Sequence, residues 1–178
     1  MPDSVQEVAI KIADCKLASL ENNTDTRGCF TEIFRATWFD RDLPVQWNIV
    51  KSNPGVFRGI HAHLKHSDYL IVIAGLVHFY LKDLRKRSPT FLVEEEVILS
   101  AEKHRGLYIP PGVAHGFYFP VEAMHVYSVS HYWDKSDELG CRFDDPQFGF
   151  EYPNINPQRS EYDQSLGSLA KLIEQVNK

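Results

Sequence analysis

Arg58-Gly59-Ile60-His61-Ala62-His63-Leu64-Lys65-His66-Ser67-Asp68, followed by the apolar run Tyr69–Ala74 and then Gly75, is the stretch on which the fold turns. It lies between Asn53-Pro54-Gly55 and Gly75, the kind of punctuation that bounds a strand. Alternate residues of a strand share a face, so His61 and His63 are expected to project together. If that face lines a cavity, both imidazoles meet whatever occupies it.

Outward from this stretch the chain continues as short alternating segments. Arg27–Phe34, Gln46–Ser52, Leu76–Leu84, Phe91–Leu99, Val113–Phe119 and Ala123–Trp133 read as strands, and Pro110-Pro111-Gly112 as a turn. Residues 1–26 read as N-terminal edge strands, and Thr37–Leu43 as one helical turn. Helical spacing is confined to the tail, where Leu166, Leu169, Leu172, Ile173 and Val176 predict a terminal helix over 164–177. Many short strands with turns between them and one helix predict an all-β, cupin-like jelly roll, a β-sandwich or barrel, forming a single domain over 1–178.

Composition narrows the function. The 178 residues carry a net charge of −5 with scattered basic residues, which argues against nucleic-acid binding. No apolar run is long enough to span a bilayer, and Met1-Pro2-Asp3-Ser4 does not begin a secretory signal. A cytoplasmic protein without membrane partners is expected, with Cys15, Cys29 and Cys141 as reduced thiols.

A set of ordered motifs goes further: Arg27-Gly28-x-Phe30-x-Glu32, Gln46-x-Asn48, Val56-Phe57-Arg58-Gly59-Ile60-His61, Asp83-Leu84-Arg85-Lys86-x-Ser88-Pro89-Thr90-Phe91, Ile109-Pro110-x-Gly112-x-Ala114-His115-Gly116-Phe117, Tyr127 with Tyr132, Asp145-Pro146, and Ser160-x-x-Asp163. Together they resemble the dTDP-4-dehydrorhamnose 3,5-epimerase family of cupin-type jelly rolls. That resemblance implies an isomerase of deoxysugar and polysaccharide biosynthesis. It would invert C3, C5 or both of a nucleotide-diphosphate-linked 4-keto-6-deoxy sugar, without a cofactor, as a homodimer that exchanges a strand. By the same resemblance His61 is the catalytic base, Asp163 its carboxylate partner and Tyr127 the acid on the opposite face of the sugar. Arg58 and His115 are further active-site positions, and Arg27, Glu32, Gln46 and Asn48 hold the nucleotide diphosphate.

Two positions depart from the family pattern. Asp68 stands where the family has a lysine aimed at the enolate, and His63 where it usually has glutamine. The expected accommodation turns Asp68 away, paired with Lys65, while His63 donates to the keto oxygen. The alternative reads Gly55-x5-His61-x-His63-x4-Asp68-x6-Gly75 with Pro110-x-Gly112-x2-His115 as cupin metal motifs. It makes His61, His63, Asp68 and His115 ligands of a metal-dependent cupin enzyme. A non-catalytic sugar-nucleotide binder is the third possibility. His66, His78, His104, His125 and His131 read as surface or packing histidines, Phe30, Phe34 and Trp47 as core, and Arg85-Lys86-Arg87 as a solvated turn.

Overall fold

Period-two hydrophobicity builds two sheets facing each other in a computed structural model that describes residues 6–38 and 43–178. The first sheet has six strands in the order β1 (Gln6–Val8), β2 (Lys16–Ser19), β10 (Arg105–Ile109), β7 (Asp68–Ala74), β12 (Ala123–Val129) and β5 (Gln46–Ser52). The second has five, in the order β13 (Leu139–Gly140), β6 (Val56–Ala62), β11 (Val113–Phe119), β8 (Leu76–Asp83) and β9 (Glu94–Ser100). All pairings within the two sheets are antiparallel. A separate, exposed hairpin joins β3 (Asn22–Asp25) to β4 (Gly28–Thr31). Among the described residues no helix is long and apolar enough to cross a membrane.

Alternation sorts side chains into layers. From β8, Val77, Phe79 and Leu81 enter the core between the sheets with Leu70 and Val72 of β7 and Leu107 and Ile109 of β10. Tyr80, from the opposite face of β8, joins Phe57, Ile60 and Ala62 of β6 in a second cluster outside the five-stranded sheet. A third cluster, Tyr69, Ile71 and Leu20, lies outside the six-stranded sheet. The jelly-roll expectation holds because nearly every strand has one face to bury.

The tail differs from the expected single helix over 164–177. It forms α1 (Glu161–Ser165) and α2 (Leu169–Val176), separated at Leu166–Ser168. Each has its own serine N-cap: Ser160 accepts from the Asp163 N–H and Ser168 from the Lys171 N–H. The break lets Gly167 bridge to Cys141, while the Leu169 N–H donates to Asp145 at 3.0 Å. An eight-residue helix is marginal alone. Burial of Leu169 and Leu172 in the second cluster, about 1.5–3 kcal/mol each, supplies the anchorage.

Other expectations are revised. The turn at 37–43 is seen as a single 3-10 turn at Ala36–Trp38, and its residues 39–42 lie outside the described residues, as do 1–5 of the N-terminal segment. β9 begins at Glu94 rather than Phe91. Phe34 packs in the third cluster, but Phe30 and Trp47 are 59% and 42% exposed. Arg85 is no solvated residue: it donates to Asp83, Asp14 and the Ala13 carbonyl, and the buried Asp83 also accepts from Ser88 and Thr90.

The feature that positions the site is a bulge in β6. His61 pairs with His115 and Arg58 with Phe117, so two residues of β6, Gly59 and Ile60, stand against one of β11, Gly116. Gly59 occupies this bulge with φ +100°, and a Cβ there would sit 2.8 Å from the His115 carbonyl oxygen. Gly59→Ala is expected to cost roughly 2–4 kcal/mol in urea unfolding, through backbone strain and the clash together.

Candidate active site

Between the two sheets opens a cleft of about 780 Å³, within the range that encloses small ligands. Its two walls come from different strands. β6 contributes Val56, Arg58 and His61, β12 contributes His125, Tyr127 and Val129, and β5 adds Val50 and Ser52. Arg58 and His61 share this wall because the extra residue in β6 shifts the alternation by one. His63 continues the face just beyond the strand, as the sequence suggested.

His61 lies between two carboxylates, hydrogen-bonded to one through Nε2 and near the other at Nδ1. Its Nε2–H donates to Asp163 Oδ1 at 2.7 Å, and Nδ1 faces Glu138 Oε1 at 3.2 Å. Asp163 comes from α1, where the serine cap orients the helix turn, and its Oδ2 lies 3.4 Å from the Gly59 N–H. Burial alone would raise the Asp163 carboxyl, but the hydrogen bond and charge of His61, with Ser160 and Gly59, bring it below the usual carboxylate range. Glu138 escaped the sequence reading. It lies between the 3-10 turn Lys135–Asp137 and β13, where no periodicity marks it, and it accepts from Trp133 Nε1 at 2.8 Å.

Tyr127 faces the cleft from the other sheet, on β12 between Leu70 of β7 and Asn48 of β5. Burial, with the carboxylates of Asp68 and Glu138, pushes its hydroxyl up, so it is a neutral proton donor near pH 7. Arg58 donates to Ser52 at 3.0 Å, and Lys135 and Arg159 are further cations on the lining.

The residues expected to hold the nucleotide diphosphate behave differently. Gln46 and Asn48 share the inward face of β5 with Val50 and Ser52, and Gln46 accepts from the Trp133 N–H at 3.0 Å. Arg27, at the turn of the β3–β4 hairpin, is exposed and pairs with Asp25, and Glu32 pairs with Arg35. None of the four lines the cleft.

The residues around Asp68 depart most from expectation. Asp68 begins β7 on its inner face, buried, with Oδ2 4.0 Å from His66 Nε2 and 3.9 Å from His115 Nε2. Lys65 pairs instead with Asp134 at 2.8 Å, so Asp68 is not turned away. His63, His66 and Asp68 bring ligand-type atoms within 4.8 Å of one another, and both His61 and His115 are outside that group. The alternative ligand set with His61 is thereby replaced by one with His66, a residue the sequence reading set aside because it falls beyond the strand pattern. Burial keeps these imidazoles neutral. His63 is lowered to about 4 by burial and by His66, His66 is lowered by burial, and His115 well below its usual value by burial and His63. Asp68 is pushed well above its usual value by burial, then by Glu138 and Asp137.

Of the other histidines, His78 pairs with Glu96 and His104 with Asn22 away from the cleft, and His131 is exposed. His125 is buried on the lining instead.

Comparisons with known proteins agree on one family. The family profile of dTDP-4-dehydrorhamnose 3,5-epimerase matches residues 9–171. A curated dTDP-4-dehydrorhamnose 3,5-epimerase of Shigella flexneri is 37% identical over 148 residues, 78% of this chain and 82% of that one. The structure of dTDP-6-deoxy-D-glucose-3,5-epimerase from Legionella pneumophila, in complex with dTDP-4-keto-L-rhamnose, superposes with a TM-score of 0.89 at 30% identity, covering 97% of both chains. A 3'-monoepimerase from Streptomyces bikiniensis in complex with dTDP-quinovose gives 0.85 at 26% identity, covering 93% of this chain and 89% of that one.

His125 yields a pH prediction. Burial, with Arg58 nearby, lowers it from 6.5 to about 4, so the unfolded chain takes up this proton more readily than the folded one. Its stabilising contribution is full above about pH 6.5 and is lost as pH falls toward 4, up to about 3 kcal/mol. Urea titrations across that window should show a shallower loss of stability for His125→Gln than for wild type.

Proposed function

The chain belongs to the dTDP-4-dehydrorhamnose 3,5-epimerase family, isomerases of nucleotide sugars, and on that premise we propose that its cleft inverts C3, C5 or both of a nucleotide-diphosphate-linked 4-keto-6-deoxy sugar. The observation that carries this reading is the placement of His61 with Asp163 on the five-stranded sheet and of Tyr127 on the facing sheet. Inversion requires removal of a proton from one face of the ring and its return to the other, so donor and acceptor on opposite walls suit it.

A ketone at C4 acidifies the neighbouring C–H bonds. With Nε2–H committed to Asp163, His61 Nδ1 takes the proton, and the C–H electron pair passes to the C4 oxygen as an enolate. The carboxylates of Asp163 and Glu138 stabilise the imidazolium that forms. Tyr127 then delivers its hydroxyl proton to the carbon from the other side, the C4 carbonyl re-forms, and exchange with solvent returns a proton to the phenolate and removes one from the imidazolium. Arg58, Lys135 and Arg159 give the lining the positive charge that an enolate and a diphosphate need. His63 and His115 are substrate-side positions in this reading.

The nucleotide end is completed by a second copy of the chain, with the whole of 1–178 acting as one domain. β5 is a sheet edge whose outward Trp47 and Ile49 are exposed, Ile49 by 70%, and Phe30 on the β3–β4 hairpin is exposed as well. A homodimer that exchanges this hairpin would bury these residues and bring Arg27 and Glu32 to the partner's Gln46 and Asn48. The product feeds deoxysugar and polysaccharide biosynthesis in a cytoplasmic setting.

His61→Ala is expected to abolish solvent deuterium incorporation at C3 and C5 of a 4-keto-6-deoxy sugar nucleotide, and Asp163→Asn to slow it ~10²–10⁴-fold without unfolding the chain. Exchange at the wild-type rate in His61→Ala would remove the mechanism. Tyr127→Phe is expected to separate the two half-reactions, with exchange continuing while epimerised product falls. Equal loss of both would reassign Tyr127 to binding.

A further inference from the structure

The interior cluster at the foot of β7 brings His63, His66 and Asp68 together at ligand spacing, with His115 beside Asp68. The His63 Nδ1 lies 3.2 Å from the backbone carbonyl of Asp137, which can only accept, so Nδ1 carries the proton and Nε2 the lone pair. The His115 Nδ1 donates in the same way to the Val113 carbonyl at 3.1 Å. The His66 Nδ1 faces Asp137 Oδ2 at 3.2 Å. Each neutral ring has thus spent its one N–H outward. What remains inside is the Asp68 carboxylate, on the cleft lining, with the Nε2 atoms of His66 and His115 about it at 4.0 and 3.9 Å.

A carboxylate with imidazole lone pairs turned toward it gains no relief from them. One proton on Asp68 could satisfy a single pair. A cation with several coordination positions satisfies His63, His66 and Asp68 together. Asp137 also has the disposition of an outer support: its two carboxylate oxygens accept from the Leu64 and Lys65 N–H groups at 2.9 and 3.0 Å, and it anchors two of the rings. Such outer partners fix the tautomer of metal-binding histidines.

We propose that His63 and His66 together with Asp68 bind one divalent first-row transition ion. Two imidazoles and one carboxylate suit zinc, iron(II) or nickel and disfavour magnesium and calcium, which prefer all-oxygen sites. The set leaves His61 to Asp163 and Glu138, so the base and the ion do not compete. The ion's role rests on the epimerase reading: it would supply, beside the keto oxygen, the positive charge that Asp68 does not. Binding itself does not depend on that reading.

The test uses the purified full chain, stripped with EDTA and titrated with Co²⁺. Visible d–d absorption saturating near one equivalent is expected, displaced by Zn²⁺ and not by Mg²⁺ or Ca²⁺. Asp68→Asn and His66→Gln, each confirmed as folded by circular dichroism, should weaken Co²⁺ binding at least ~10–100-fold, whereas His104→Gln on the surface should not. Absence of Co²⁺ uptake by the wild-type chain, or uptake unchanged in both cluster variants, overturns the site. Deuterium exchange at C3 and C5 is expected to fall on stripping and return with Zn²⁺, and exchange indifferent to the metal overturns the ion's role. Stoichiometric Co²⁺ with no exchange in either form would overturn the epimerase reading while upholding the site.

Discussion

Side chains on a strand alternate between faces, so Arg58 and His61, three residues apart, would ordinarily point to opposite sides of the sheet. The single extra residue in β6 opposite β11 removes that conflict and delivers both to the cleft, while Ile60 and Ala62 go to the outer cluster. Gly59 makes this possible, since the His115 carbonyl leaves no space for a side chain. The same glycine offers its N–H to Asp163. One backbone irregularity therefore sets the direction of His61 and helps hold Asp163, and everything on that wall is registered against it.

The outer cluster is what brings Asp163 to the wall. Phe57, Tyr80 and Tyr118 leave an apolar face outside the five-stranded sheet, and the chain from Cys141 to Leu172 returns to cover it. Backbone bonds stitch this return in place, the Phe57 N–H to the Gln158 carbonyl and the Arg142 N–H to the Gly167 carbonyl, each 2.9 Å. Hydrophobic cover and catalytic geometry are in this way one demand on the sequence. Asp145 shows the economy of it: a single carboxylate orders its own turn at Gln147 and caps α2 at Leu169.

How much of this could be read from the sequence depended on periodicity. Strands with a buried face announced themselves, and so His61, His63 and Tyr127 were found where two-residue alternation or a shared motif marked them. His66 and Glu138 were missed because they sit in segments with no repeat, positioned only by contacts such as those of Asp137 to the backbone at Leu64 and Lys65. The fate of Asp68 was misjudged for a related reason. The nearby Lys65 looked like its partner, but pairing across the fold gave Lys65 to Asp134, 69 residues away. The break in the terminal helix was also hidden, because Leu166 keeps helical spacing while local caps at Ser160 and Ser168 divide the segment.

Asp163, the partner of His61, rides on a helix of five residues, too short to persist by itself. It stays ordered through what it docks against, including the Tyr162 hydroxyl on the Glu138 carbonyl at 2.6 Å and Asp163 itself on His61 and the Gly59 N–H. Segments of this kind detach at lower free energy than the sheets they cover. The His61–Asp163 pair and global folding are then two separate equilibria: heat or denaturant would part the two side chains by loosening the returning segment while the sheets still register as native by their strand content, a loss that spectroscopy of the sheets alone would not see.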